Sequence, residues 1–315
     1  MSWFFEHLIS MYAGLIAAIA NPAAWLNWSD KEALTRFIYF GASVEFFLFV
    51  AHVFIITLIV GLLYRPFLWR VVRGVEYTNN TIGRLFAWAG FLMVVQQVLI
   101  VALQRVFRVS EISLGPFSPL GYSLLNGPEF ARDLSWWSEE LKLFNAMIVA
   151  LCAAYTFVQG GHVRVDLFYA GAKYRTKKIV DMLGSVFFIL PFMTFVWLFG
   201  WFFMWRHLVT PKINATDKFE ILLRKSRILK WNVETIGFSP NGFDAYFLFK
   251  ILLVAFAGLM FAQGIAFFYR SLLEMLEGPD AENKYLDRDD MGAESAQAQA
   301  AEVSESNTPA LGSTS

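Results

Sequence analysis

The residues able to do chemistry in this 315-residue chain are few and scattered. His162-Val163-Arg164-Val165-Asp166 alternates polar and apolar, so an extended backbone puts His162, Arg164 and Asp166 on one face. As a metal site it would offer one imidazole and one carboxylate, with a guanidinium between them to repel a cation. It reads instead as a structural turn, in which Gly160-Gly161 ends the preceding helix, Asp166 pairs with Arg164 or a nearby Lys, and the valines dip into the interface. Glu139 and Glu140 open an apolar run beside Trp136 and Trp137, where carboxylates suit a helix N-terminal dipole. Their sharp reading is an ion or proton path; the plainer one is a solvated or subunit-contacting helix start. Glu45 and His52 share a helical face, and an ionisable group at membrane depth is a functional hypothesis by default. His52 reads as a neutral, hydrogen-bonding core residue, and Gln96 and Gln97 as interhelical glue. The four histidines, His7, His52, His162 and His207, do not pair within apolar runs as bis-imidazole haem ligation requires. There is neither a phosphate-binding glycine loop nor a placeable Ser/His/Asp set. No catalytic, cofactor-binding or metal residue is assigned.

The elements that carry these residues are membrane helices. The chain is 57% hydrophobic and 17% charged, with mean hydropathy +0.49 and formal net charge zero. Nothing in that balance points to nucleic acid. Cys152 is the one cysteine, so an intrachain disulfide is ruled out. Crossing a hydrocarbon core of about 30 Å takes roughly 20 apolar residues, and the backbone must then be helical. The expected class is all-α, polytopic, with five crossings: 37–64, 83–106, 138–158, 179–205 and 245–269. Residues 3–20 form a sixth, short crossing or lie flat in the interface. They lack the basic n-region of a cleavable signal. Ser29-Asp30-Lys31-Glu32 reads as a cap opening a short amphipathic helix. Arg65-Pro66 ends the first crossing, Thr78-Asn79-Asn80 reads as a polar turn, Pro191 as a kink, and Asp244 as the cap of the last crossing. Residues 107–135 and 206–243 read as long loops, the second with a basic amphipathic piece, 219–231, suited to anionic lipid headgroups or a partner protein. The expected organisation is an extension, 1–82, a four-helix core, 83–277, and a disordered acidic tail, 278–315.

Small residues at Ala146, Ala150 and Ala154, and at Gly258, Ala262 and Ala266, are expected at helix–helix contacts. Trp197, Trp201 and Trp205 read as a lipid or partner surface. Basic loops at 65–83 and 159–178 put the His162 turn and the tail in the cytoplasm by the positive-inside rule, although the basic 206–243 loop runs against it.

Trp137-Ser138-Glu139-Glu140, an apolar helix, Gly161-His162-Val163-Arg164-Val165-Asp166, a basic turn and another long helix together resemble the DctQ-type small membrane subunit of tripartite ATP-independent periplasmic (TRAP) transporters. Arg105-Val106-Phe107 is similar to the end of that family's first helix. The resemblance covers residues 83–270; the region before it, the enlarged loops and the acidic tail depart from the usual pattern. It implies a non-catalytic scaffold in a bacterial inner membrane, part of a Na⁺-coupled symporter of an organic acid such as a dicarboxylate. The partners it implies are a large permease subunit, a periplasmic substrate-binding protein and membrane lipids. Arg105, Trp137, Glu139, Glu140, Gly161, His162, Arg164 and Asp166 become subunit-contact candidates. The rival readings are a membrane anchor of a respiratory, quinone-linked complex and a self-sufficient small transporter.

Overall fold

A computed structural model describes residues 2–114, 130–160, 172–235, 242–282 and 284–287. Five helices are long and apolar enough to cross a membrane: α4 (Val44–Leu63), α5 (Arg65–Arg105), α6 (Leu134–Gln159), α7 (Tyr174–Leu208) and α9 (Phe247–Glu277). Three shorter helices, α1 (Ser2–Ala20), α2 (Ala23–Leu26) and α3 (Lys31–Phe40), precede them, and α8 (Phe219–Ser226) lies between α7 and α9. The expected all-α, five-span class with a shorter apolar N-terminal helix is what the structure has.

Local sequence explains most of the boundaries. Asp30 caps α3, its carboxylate accepting from the Glu32 and Ala33 N–H groups, as read from the sequence. Gly160 ends α6 in the left-handed region, φ 75°, where a glycine has no Cβ penalty. A π-helical stretch, Ser185–Ile189, precedes Pro191 in α7 and takes up the disruption around the ring.

Four expectations are corrected. The first crossing is not continuous from residue 37, because α3 stops at Phe40 and α4 restarts after Ser43, whose hydroxyl accepts from the Phe46 N–H. Thr78-Asn79-Asn80 is no turn: α5 runs unbroken for 41 residues. At 1.5 Å per residue that is roughly 60 Å, about twice the hydrocarbon thickness. The polar residues find partners without bending the chain: the Thr78 hydroxyl donates to the Gly74 carbonyl, and the Asn79 and Asn80 amides donate to Gln263 and Asp287. The boundary placed at 82/83 therefore falls inside a helix. Asp244 does not cap α9, whose cap position is Tyr246, with no side-chain cap bond. The tryptophan stripe of α7 is not an outer surface, as described below.

α9 is the central helix, packed against α5, α6 and α7. α5 and α6 form the most extensive pair, and a Cβ at Gly83 would lie 2.2 Å from the Tyr155 side chain. The 107–135 region holds a short antiparallel pair, β1 (Glu111–Leu114) with β2 (Phe130–Asp133). The 206–243 region folds onto the extension: β3 (Val209–Thr210) pairs with β4 (Lys230–Trp231), and α8 packs on α3. Burial would raise the Asp217 carboxyl. The Lys225 ammonium at 2.6 Å and the Asn214 N–H instead hold it below the ordinary aspartate value, fixing the start of α8.

Candidate functional site

The N-terminal end of α6 carries the first group of candidates. Trp136 and Trp137 meet edge to face at 5.3 Å; Arg132 stands over Trp136, and Phe243 also meets Trp136 edge to face at 5.3 Å. Glu139 accepts from the Phe243 N–H at 2.9 Å, tying the approach to α9 onto α6. Glu140 accepts from the Gln96 amide at 3.2 Å, and the same amide donates to the Trp137 carbonyl at 3.1 Å, tying on α5. The paired carboxylates thus reach different elements, Glu139 the segment before α9 and Glu140 α5, and act as acceptors in structural bonds. Gln97 is exposed, while Gln96 is the residue that bonds across the interface. Arg105 is exposed in the last turn of α5, where a cation suits the helix dipole.

The other end of the bundle holds a set of ions that the sequence reading missed. The Arg270 guanidinium of α9 donates to both carboxylate oxygens of Glu76 of α5, at 2.7 and 2.5 Å, and both side chains are buried. Lys178 of α7 reaches Glu274 at 2.6 Å and Glu282 at 3.4 Å. Around this centre Asn79 donates to Gln263, Trp69 to Glu277, and the Tyr174 hydroxyl to the carbonyls of Glu274 and Gly278. The residues after α9 close the arrangement. Arg84 forms a two-pronged pair with Asp287, and Gln159 and Asn80 donate to the Asp287 carbonyl. The Asp287 carboxyl is held below its usual range by the bonds from Arg84 and Asn80. α5, α7, α9 and the segment after α9 are therefore joined by charge-assisted bonds, and α6 joins them through the neutral bond from Gln159. A signal was available: Gln263, Arg270 and Glu277 recur every seven residues on α9, and Trp69 and Glu76 match that spacing on α5. Ending the last crossing at Tyr269 hid it.

The third group is aromatic. Trp201 and Trp205 are buried, 7% and 3% exposed, against α3, not facing lipid. Trp197 and Trp201 stack at 5.2 Å, and their indole N–H groups donate to the carbonyls of Gly41 and Ile38 at 2.7 and 2.8 Å. These carbonyls belong to the C-terminal end of α3, which has no intrahelical donors for them. The contact requires Gly41: a Cβ there would sit 2.2 Å from the Trp201 ring. The stripe, expected to face lipid or a partner protein, is instead covered by the chain's own extension.

The remaining candidates are placed as follows. Ala154 and Ala266 are fully buried, and Ala146, Ala150, Gly258 and Ala262 are half-buried. Ala154 packs with Met193 and Met260, so α6 meets α7 and α9 there, and Gly258 faces Trp197. Glu45 is bonded to His7 of α1 at 2.9 Å, and the His52 ring N–H donates to the Leu48 carbonyl within its own helix. Gly161, His162, Arg164 and Asp166 lie outside the described residues.

No curated protein and no solved structure matches the chain. One family model does match, over residues 129–218, a stretch that contains α6 and α7; its description is "Tripartite ATP-independent periplasmic transporters, DctQ component". The match falls on the Trp137-Ser138-Glu139-Glu140 and His162-to-Asp166 segments from which the resemblance was read. That family is not enzymatic. Residues 129–218 are thus similar to the DctQ component of TRAP transporters, within a chain whose described residues include five helices long and apolar enough to cross a membrane.

Proposed function

We propose that this chain is the fixed brace of a Na⁺-coupled TRAP transporter that imports an organic acid such as a dicarboxylate. The large permease subunit carries substrate and ion and moves; a periplasmic binding protein delivers the substrate; this chain supplies a rigid wall of matched hydrophobic thickness. In this reading it sits in the bacterial inner membrane with the His162 turn and the residues after α9 in the cytoplasm, as the basic residues within 65–83, at the start of α5, and within 159–178 favour.

One observation carries the reading. Buried charged and amide groups at both ends of the bundle tie its own helices together, while long apolar faces point outward. On α7, Phe188, Phe192, Phe195, Phe199 and Phe203 recur at helical spacing and are exposed, Phe199 by 76%. A wall of this kind serves a moving neighbour: internal bonds resist deformation, and the outer face makes few directional contacts. Glu139, Glu140, His162, Arg164 and Asp166 then fix the two ends of α6 within the assembly.

Substitution of Asp166→Ala tests the brace. Uptake or assembly with the permease should fall while the order of preference among organic acids stays unchanged. A changed preference would place this chain in the substrate path and end the scaffold reading.

A further inference from the structure

The extension carries a cationic corner that the bracing role does not use. α4 ends at Leu63 and α5 begins at Arg65, so Tyr64 turns the chain sharply. Just past the turn, Arg65, Arg70 and Arg73 are exposed, and none of them forms an ion pair with a carboxylate among the described residues. The nearby acids are engaged elsewhere: Glu76 with Arg270, Glu277 with Trp69 and Lys284, and Asp287 with Arg84. The guanidiniums instead face aromatic rings, Arg73 at 5.0 Å from the Tyr285 centroid and Arg70 at 6.0 Å from that of Tyr64.

Two adjoining cavities, about 630 and 470 Å³, share Arg70, Arg73 and Tyr285 in their walls. The first is also lined by Arg84 with the engaged carboxylates of Glu76 and Asp287, and the second by Arg65, Lys284 and the engaged Glu277. On the α4 side of the corner the surface is apolar: Ile59, Leu62 and Leu63 are exposed, Leu63 by 84%. Unpaired guanidiniums are costly in hydrocarbon, so the corner marks the headgroup level. A basic pocket bordered by an apolar wall matches a molecule with an anionic head and acyl tails.

We propose that this corner binds an anionic phospholipid, with its phosphate held by Arg65, Arg70 and Arg73 and its acyl chains lying along Ile59, Leu62 and Leu63 of α4. Arginine suits the task because its planar fork pairs two-pronged with phosphate oxygens and stays charged. The tyrosines hold the guanidiniums in place without neutralising them. A bound lipid would pin the extension to one leaflet and, through α4 and α5, fix the extension against the bundle.

Native mass spectrometry of the full chain, purified in mild detergent and given phosphatidylglycerol or phosphatidylcholine, tests the site. The unaltered chain should retain phosphatidylglycerol in preference. Arg70→Gln with Arg73→Gln should lower the retained fraction roughly ten-fold or more, since each basic group near a headgroup contributes measurably. The pair Arg70→Lys with Arg73→Lys keeps the charge and loses the fork; it should fall in between. Arg175→Gln, an exposed basic site on α7, should have no effect. Equal retention in the double Gln variant, with its helix content and melting unchanged, would overturn the proposal. So would an equal loss in Arg175→Gln, which would mean bulk charge alone. Displacement of the lipid by millimolar inorganic phosphate, without dependence on acyl chains, would reassign the corner to a soluble anion and overturn the lipid reading.

Discussion

The two ends of the bundle are joined by opposite means. At one, α5, α7 and α9 are held by buried charges, Glu76 with Arg270 and Lys178 with Glu274. At the other, α7 is held to the N-terminal extension by indole rings, with Trp197 and Trp201 donating to the end of α3 and stacking over Gly41. The charged end is unforgiving: each ion is satisfied only while its partner stays, so helices joined there keep one register. The aromatic end spreads its energy over large surfaces and a few hydrogen bonds, and it depends on shape. A brace needs the first property along its length. The second lets an added segment attach without rewriting the core.

The largest effect should come from splitting the buried pair. Glu76→Leu leaves the buried Arg270 guanidinium with only the looser pair to Glu274 at 3.6 Å and the Lys284 carbonyl, and removing one partner of a buried pair costs about 3–5 kcal/mol. Thermal unfolding in detergent should show a large drop. Glu76→Leu combined with Arg270→Leu should recover much of it, because two apolar side chains leave no orphan charge. If the double variant is as unstable as the single one, the pair is not the locking element.

Next in size is the aromatic end. Gly41→Ala places a methyl group against Trp201, an overpacking cost of about 1–3 kcal/mol. Trp201→Leu in the same chain should relieve it and restore protection of α3 against proteolysis. If Gly41→Ala alone leaves that protection and the tryptophan fluorescence unchanged, α3 is not seated on α7.

A smaller loss is expected at the Glu140 end. Gln96→Leu removes the bonds to Glu140 and to the Trp137 carbonyl, and membrane hydrogen bonds average about 0.6 kcal/mol each. Melting should shift by a degree or two at most. A loss as large as that of Glu76→Leu would mean that the two ends do not differ as described.

These contrasts were unevenly legible in the sequence. Leu134–Gln159 and Phe247–Glu277 announce themselves as long apolar runs, and Asp30 and Gly160 end or begin helices by chemistry local to the chain. The Trp137 to Glu140 segment was readable because its carboxylates sit on one helix turn. What failed was anything decided by a distant partner. Thr78-Asn79-Asn80 looks like a turn because its polar groups need acceptors and donors, and only the fold shows that Gln263 and Asp287 supply them. The tryptophan stripe has the composition of an interface, and nothing in its own sequence says that α3 covers it. Glu76 and Arg270 stand 194 residues apart, so each alone reads as an edge charge.

The smallest effect concerns pH. The Asp287 carboxyl is held below its ordinary value when docked, so docking is favoured above the unfolded value of about 3.9 and is lost as pH falls through the lower docked value. The pair is partly exposed, with Arg84 at 38% and Asp287 at 46%, so the stabilisation is reduced by solvent screening. Proteolysis after α9 by an acid-active protease should rise only as pH drops below about 4. In Arg84→Gln that rise should shift to higher pH, and an identical profile in both chains would remove Asp287 from the account.

The central claim is that this chain braces a larger permease and carries no substrate itself. Affinity purification of the tagged chain in mild detergent, followed by reconstitution of what is recovered, tests it most directly. The account predicts that a large multi-helix permease comes along and that liposomes take up organic acid only when both are present. Full uptake by this chain alone would contradict it, and co-purification with a haem or flavin protein would point to a respiratory anchor instead.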